Sequence, residues 1–212
     1  MARTVVFGGR RGAQTGWRGP ERGRAGAELR SALGVLDVSY PSYFPFDVRL
    51  ATAKLRLQVD VNVGDPVIPG ARLTEIPSIL PGPGPTVLAY PRAMVIAEKL
   101  VTAIQRGGAS TRWRDFADLY SLVEAGGVAS EQAAASVAAV AAHRGAPLAP
   151  LGDVLAGMPD RAQARWASWI RQQGLVDRVP ESFGAVVQRL DQATRPWIES
   201  AMSEDSNSEE SR

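Results

Sequence analysis

The sequence of 212 residues contains no cysteine and only one histidine, His143. Without cysteine it can form neither disulfides nor thiolate metal sites, and a single imidazole argues against a histidine-based zinc site or a Ser-His-Asp triad. Any metal chemistry must therefore use carboxylates. No apolar run approaches the roughly 20 residues that span a bilayer, and the N-terminus lacks the apolar region of a secretory signal peptide. These absences predict a globular, cytoplasmic protein with no membrane segment.

Lysine is also scarce, because Lys54 and Lys99 are the only two and nearly all basic residues are arginines. The first thirty residues are rich in arginine and glycine and show no period of 2 or 3.6, whereas the last ten are acidic and rich in serine. Both compositions are typical of flexible segments. We therefore predict a flexible leader at residues 1–33 and a disordered acidic tail at residues 203–212.

The strand signal lies in the first half of the chain. Residues 54–65, KLRLQVDVNVGD, alternate apolar and polar side chains with a period of two, as a half-buried strand does. Together with the runs at residues 34–40 and 46–52, this stretch predicts an antiparallel meander. The proline-rich segment that follows leaves room for a short run near residues 76–80 and a strand at residues 86–90.

The rest of the chain has the pattern of helices. PRAMVIAEKLVTAIQRGG begins with a proline suited to a first turn and ends at a glycine, and TRWRDFADLYSLVEAGG carries one apolar stripe. Ser110 or Thr111 is the expected cap of the second helix. Further helices are predicted at residues 130–143, 159–173 and 182–202. The predicted fold is therefore α+β, a small sheet followed by a helical bundle.

Asp60 is unexpected within its strand pattern. Strands seldom place aspartate in their middle, because its short carboxylate competes for backbone hydrogen bonds. Between Val59 and Val61, this carboxylate either faces solvent with Lys54 and Arg56 or is held rigidly as an oxygen ligand for Mg²⁺. The strand alone leaves both interpretations open.

Three cations share one face of the first predicted helix, because Arg92, Lys99 and Arg106 are seven residues apart. A solvated face is the simpler interpretation for the two arginines. Because the chain otherwise uses arginine, a lysine at position 99 indicates a requirement for a compact point charge, of the kind that binds a nucleotide phosphate. As a set, the three are candidate nucleotide-binding residues.

Two carboxylates lie on one edge of the next predicted helix, where Asp115 and Asp118 are three residues apart. They either pair locally with Arg112 and Arg114 or contribute to a site. Together with the strand carboxylate and the helix lysine, they form a set suited to metal-assisted phosphoryl chemistry.

The remaining candidates are interpreted as structural. His143 lies near the end of an alanine-rich helix, where a cation suits the helix dipole. Tryptophan on a helix usually anchors a core or an interface rather than stacking on nucleic-acid bases. This is the role expected of Trp113, Trp166, Trp169 and Trp197.

The runs VDVNVGDPVIPG, TVLAYPRAMVIAEKL and RWRDFADLYSL resemble the AbiEii/MenT-like nucleotidyltransferase toxins of type IV toxin–antitoxin systems. The resemblance covers roughly residues 37–123. It implies a truncated polymerase-β-like nucleotidyltransferase sheet within a core at residues 34–125, followed by a C-terminal helical domain at residues 126–202. It also implies Mg²⁺-dependent transfer of a nucleotide from an NTP to an RNA acceptor such as the 3′ end of tRNA. A cognate antitoxin is the implied protein partner.

The resemblance also implies roles for individual residues. Asp60 corresponds to a metal-binding carboxylate, Lys99 to the lysine that binds the triphosphate, and Asp115 to the essential aspartate of the last motif. Asp118 would assist the reaction or brace that helix.

One motif departs from the pattern of these toxins, which have a Gly-Gly or Gly-Ser turn and then an Asp-x-Asp pair on a strand. Residues 8–9 resemble the turn, but the acids before Ser39 are Glu21, Glu28 and Asp37, and none belongs to such a pair. Truncation or a frameshift would explain this departure, which leaves a two-metal site incomplete. The alternative expectation is an inactive remnant or a regulatory or RNA-binding module.

Overall fold

The computed structural model describes residues 42–50, 52–61, 66–79 and 81–210 of the chain. These residues fall into two compact units. One contains the described residues up to Val61 together with Glu75–Leu88, and the other contains Pro66–Thr74 together with the described residues from Ala89 onward.

The first unit contains an antiparallel hairpin of two strands, β1 (Ser42–Leu50) and β2 (Ala53–Val61). The register places Tyr43 opposite Asp60. β2 includes residues 54–61 of the alternating stretch, so the strand predicted there is confirmed. The strand predicted at residues 34–40 lies outside the described residues.

A second two-stranded sheet is formed by β3 (Arg72–Glu75) and β4 (Thr86–Ala89). β4 confirms the strand predicted at that position. β3, the partner of β4, ends before the short run predicted near residues 76–80. Pro77 has no N–H with which to continue the hydrogen-bond ladder. Beyond β3, the backbone N–H of Ile76 still donates to the carbonyl oxygen of Pro85, at 2.9 Å.

Helices make up the remainder of the described chain. They are α1 (Arg92–Arg106), α2 (Trp113–Glu124), α3 (Ser130–Arg144), the short α4 (Leu151–Val154), α5 (Met158–Gln172) and α6 (Phe183–Glu210). The predicted α+β class, a small sheet followed by helices, is confirmed. The division into domains at residue 126 stays a prediction. None of the described helices is long and apolar enough to cross a membrane.

The second unit is organised around one apolar core, to which α1 contributes a complete stripe. Met94, Leu100 and Val101 on this stripe are fully buried. Each such side chain stabilises the fold by about 1.5–3 kcal/mol relative to an exposed one. Lys99 lies at the edge of the stripe, so packing of α1 on its neighbours holds the lysine only partly buried.

A buried serine attaches the segment at Pro66–Thr74 to the helices. The Oγ of Ser136, on α3, lies 2.7 Å from the carbonyl oxygen of Ile68 and 2.8 Å from that of Gln132. A hydroxyl has a single proton to donate, so the two carbonyls share it. The contact with Ile68 thus joins two parts of the second unit that are far apart in sequence.

Candidate functional site

Lys99 joins two carboxylates of the neighbouring helix. Its Nζ donates to Oδ1 of Asp115 and to Oδ2 of Asp118, each at 2.9 Å. Helix periodicity explains the pair of acids, since residues three apart on α2 lie side by side. Contact with Lys99 depends in addition on the packing of α1 against α2.

Asp115 contacts a second cation at the start of its own helix. The Nε of Arg112 lies 3.1 Å from Oδ2 of Asp115, so the two oxygens of this carboxylate each face a different positive charge. Asp115 also occupies the first turn of α2, where a negative charge is favourable. The predicted cap by Ser110 or Thr111 is wrong, because α2 begins at Trp113 and its N-cap residue, Arg112, makes no side-chain cap bond.

Burial and the two acids act on Lys99 in opposite directions. Partial burial lowers the pKa of Lys99, but hydrogen bonds and charge attraction from Asp118 and Asp115 outweigh it, so the pKa of Lys99 is raised above its usual 10.5. The ammonium form therefore persists throughout the physiological pH range. Asp115 is the more buried acid, with 19% of its side chain exposed against 47% for Asp118.

One donor on Lys99 remains for a ligand. An ammonium group has three N–H donors. Two are used by the carboxylates of α2, and Lys99 has no further partner among the residues that the structure describes. With 21% of its side chain exposed, Lys99 can reach an anionic oxygen without leaving its acids.

Two predicted site residues, Arg92 and Arg106, lie away from these acids, and the side chain of a third, Asp60, is not among the described residues. Arg92 is exposed and donates through Nη1 to the carbonyl oxygen of Gly126 at 2.8 Å, and Arg106 is exposed in the last turn of α1. Neither contacts the two acids of α2. The backbone of Asp60 lies in β2, but its side chain is outside the described residues. The metal-binding role that the resemblance implies for Asp60 therefore stays a prediction.

The acids of α2 have the donor chemistry that Mg²⁺ prefers. Asp115 and Asp118 offer carboxylate oxygens close to one cationic group, and Mg²⁺ is commonly held by one or two carboxylates together with water and substrate phosphates. Within the described parts of the chain, no group of three or more histidine or acidic side chains could hold a metal ion. The pair thus fits Mg²⁺ only in combination with substrate oxygens or with further carboxylates.

Sequence reasoning missed a groove beside the first turn of α2. It is lined by Trp113, Ala164, Arg165, Ser168, Trp169 and Gln172. Both tryptophans contact the aromatic core, as predicted, but each is also partly exposed in this groove. The available signal was the position of Trp113 between two arginines, since this arrangement places a ring beside positive charge.

Comparison with known proteins identifies the family. The family model described as "Nucleotidyl transferase AbiEii toxin, Type IV TA system" matches residues 13–193. Searches of curated proteins and of solved structures give no significant match. The matched segment extends over most of the sequence and contains both helices that form the Lys99 cluster, which consists of Lys99, Asp115, Asp118 and Arg112. The chain therefore belongs to the AbiEii family of nucleotidyl transferase toxins of type IV toxin–antitoxin systems.

Proposed function

We propose that this protein transfers a nucleotide from an NTP to an RNA acceptor, such as the 3′ end of tRNA. The observation that carries the proposal is Lys99, a half-buried ammonium held between two acids and left with one N–H for an anion. A compact charge so placed suits the triphosphate of a nucleotide. Action in the cytoplasm and control by a cognate antitoxin are part of the same proposal.

The chemistry is attack of an RNA hydroxyl on the α-phosphorus of the NTP. A new P–O bond forms, the bond between the α-phosphorus and the bridging oxygen breaks, and pyrophosphate leaves. Lys99 would neutralise a phosphate oxygen as charge develops. Asp115 would accept the proton of the attacking hydroxyl, since Lys99 and Arg112 hold both of its oxygens in place.

Mg²⁺ would supply charge neutralisation at the phosphates when bound. Asp60 is the proposed metal-binding carboxylate, and Asp118 would assist the reaction or brace α2 through its contact with Lys99. Arg92 and Arg106, seven residues before and after Lys99, are proposed to contact the nucleotide. The exposure of both arginines is compatible with this role.

The test is a transfer assay with purified protein, each of the four labelled NTPs and total tRNA. Label should enter RNA with the wild-type protein and be lost in Lys99→Ala and in Asp115→Ala. Arg178→Ala is the matched control, because this exposed arginine has no ion pair among the described residues and lies outside the cluster. Equal transfer by the two cluster variants and the control would refute the assigned roles.

A second candidate function is a non-catalytic regulatory module or inactive remnant. The absence of an Asp-x-Asp pair before Ser39 favours it, since such a pair supplies the main metal ligands in similar toxins. On this alternative, the wild-type protein transfers no label from any NTP, yet still binds NTP or RNA in a direct binding measurement. Transfer that depends on Lys99 would exclude it.

A further inference from the structure

We propose that Trp113 and Trp169 form a binding site for single-stranded nucleic acid, in which bases stack on the two rings and Arg165 contacts a phosphate. The identification of this strand as the RNA acceptor rests on the proposed nucleotidyl transfer. Binding of the strand does not rest on it, and the two can be tested separately.

The groove has the size and lining of such a site. It is an open depression of about 410 Å³ between the first turn of α2 and the outer face of α5. Small-molecule pockets in proteins typically measure about 300–1,000 Å³. Two indole rings provide stacking surfaces. Nε2 of Gln172 donates to Oγ of Ser168 at 3.4 Å, and the remaining hydrogen-bonding capacity of these two side chains is available to base edges.

The two rings are already fixed by the core beneath them. Trp169 stacks on the buried Trp166, with ring centroids 5.8 Å apart and planes inclined by 28°. Trp113 meets Phe183 edge to face, at 5.6 Å and 90°. Because these contacts hold the partly exposed rings, stacking a base on them costs little side-chain entropy.

The charge of the groove complements a phosphate backbone. Arg165, which lines the groove, is exposed and forms no ion pair among the described residues. The lining includes no carboxylate, and Trp113 lies between Arg112 and Arg114 in sequence. Aromatic rings beside unpaired arginines are typical of surfaces that bind single strands without strong sequence preference. This combination favours nucleic acid over an apolar peptide as the occupant.

The groove and the Lys99 cluster use the same turn of α2. Asp115 follows Trp113 by two residues, which is a rotation of about 200° around a helix. The ring and the carboxylate therefore project from nearly opposite sides of α2, separated by roughly one helix diameter of about 10 Å. A strand stacked in the groove could pass the N-terminus of α2 and present its end to Lys99 and Asp115.

The experiment measures binding directly, without transfer. A fluorescein-labelled single-stranded RNA of 12 mixed nucleotides is titrated with the full-length protein at fixed salt, and anisotropy gives the Kd. Trp169→Ala should weaken binding by about tenfold or more, in line with the loss of base–aromatic stacking, while Trp169→Phe retains most of the affinity. Arg165→Ala should weaken binding several-fold. An abasic oligonucleotide of the same length should bind far more weakly than the RNA.

Matched controls separate the groove from general charge and from folding. Arg171→Ala removes one exposed arginine from another side of α5, and Trp197→Leu removes a partly buried tryptophan outside the groove. Trp197→Leu should bind like the wild-type protein, and Arg171→Ala should weaken binding only by the small effect of one lost exposed charge. Thermal unfolding verifies that each variant is folded. Absence of RNA binding, equal binding of the abasic probe, or equal effects of Trp169→Ala and Trp197→Leu would overturn the proposal. Normal binding without any nucleotide transfer would instead count against the proposed function alone.

Discussion

Two parts of the helical unit each place a cation between two aspartates. In the Lys99 cluster the cation and the acids come from different helices, α1 and α2. In the second case, Arg195 and Asp191 are one turn apart on α6, and Asp153 of α4 lies 3.7 Å from Arg195. The comparison separates a structural brace from a candidate site, although both look alike as ion pairs.

The acid that pairs with Arg195 also accepts a hydrogen bond from a backbone N–H, whereas the acids of the Lys99 cluster accept none from the residues that the structure describes. Asp191 accepts the N–H of Gly152 at 2.8 Å, and Arg195 directs Nε and Nη2 to the other oxygen of the same carboxylate. Each oxygen of Asp191 therefore has a local structural partner. Both acids of the Lys99 cluster bind side chains only, and the lysine retains a donor, so this cluster can take part in binding.

The largest expected difference between the two clusters is in catalysis. Asp115→Asn removes the proposed proton acceptor and should lower nucleotide transfer by at least about a hundredfold, a typical contribution of general-base catalysis. Asp191→Asn should leave transfer within a few-fold of wild type. Rates of label incorporation from NTP into RNA make the comparison. Comparable losses in both variants would show that the distinction between brace and site is mistaken.

For stability we expect the reverse order, with a larger loss at Asp191 than in the Lys99 cluster. Asp191→Ala leaves the half-buried N–H of Gly152 without its acceptor and should lower the free energy of unfolding by about 1–3 kcal/mol. Asp118→Ala removes an acid with 47% of its side chain exposed, so its cost should not exceed about 1 kcal/mol. Urea denaturation measures both. A larger loss for Asp118→Ala would contradict the structural role assigned to Asp191.

Arg112 should have a smaller effect on the reaction. It is 54% exposed and contacts the oxygen of Asp115 that Lys99 does not, so Arg112→Ala loosens a carboxylate that Lys99 still binds. Exposed ion pairs contribute about 0–1 kcal/mol, which corresponds to a loss in transfer rate of up to about fivefold. Arg112→Lys should recover part of it. A loss as large as that of Asp115→Asn would give Arg112 a direct role.

The smallest expected effect is on the free energy of unfolding at alkaline pH. The pKa of Lys99 is raised in the folded state, so its contribution to stability is fully present below 10.5 and is lost as pH rises through the raised value. Hydrogen bonding to Asp191 raises the pKa of Arg195 above an already high value, so Arg195 stays charged in this range. The stability difference between wild type and Lys99→Met should therefore shrink above pH 10.5, while that for Arg195→Met stays constant. Urea midpoints measured across this range provide the check.

Local periodicity allowed the sequence to predict most of the helices. The stripe of α1 and its terminal glycine place that helix correctly at Arg92–Arg106, and α3 and α5 differ from prediction by single residues at their ends. The contact between Lys99 and Asp115 does not follow from local periodicity, because it depends on how α1 packs against α2. The loop that holds β3 was less predictable, because its prolines mark breaks in structure without specifying which residues pair.

The groove illustrates a different limit. Apolar periodicity correctly predicts that Trp113 and Trp169 join a core. It cannot predict that part of each ring stays exposed, since this depends on the distance between α2 and α5 once both are packed. The same sequence pattern is thus compatible with a closed interface and with an open binding surface.

The contact between Ser136 and Ile68 has a consequence for the order of folding. The two residues are 68 positions apart, so forming this bond closes a long loop and loses chain entropy that no local contact repays. Neighbouring helices such as α1 and α2 meet after a short connection and can associate sooner. Residues 66–74 should therefore dock onto α3 late, after the helices have assembled. A ribosome would have to release the chain at least through α3 before this early-synthesised segment could find its place.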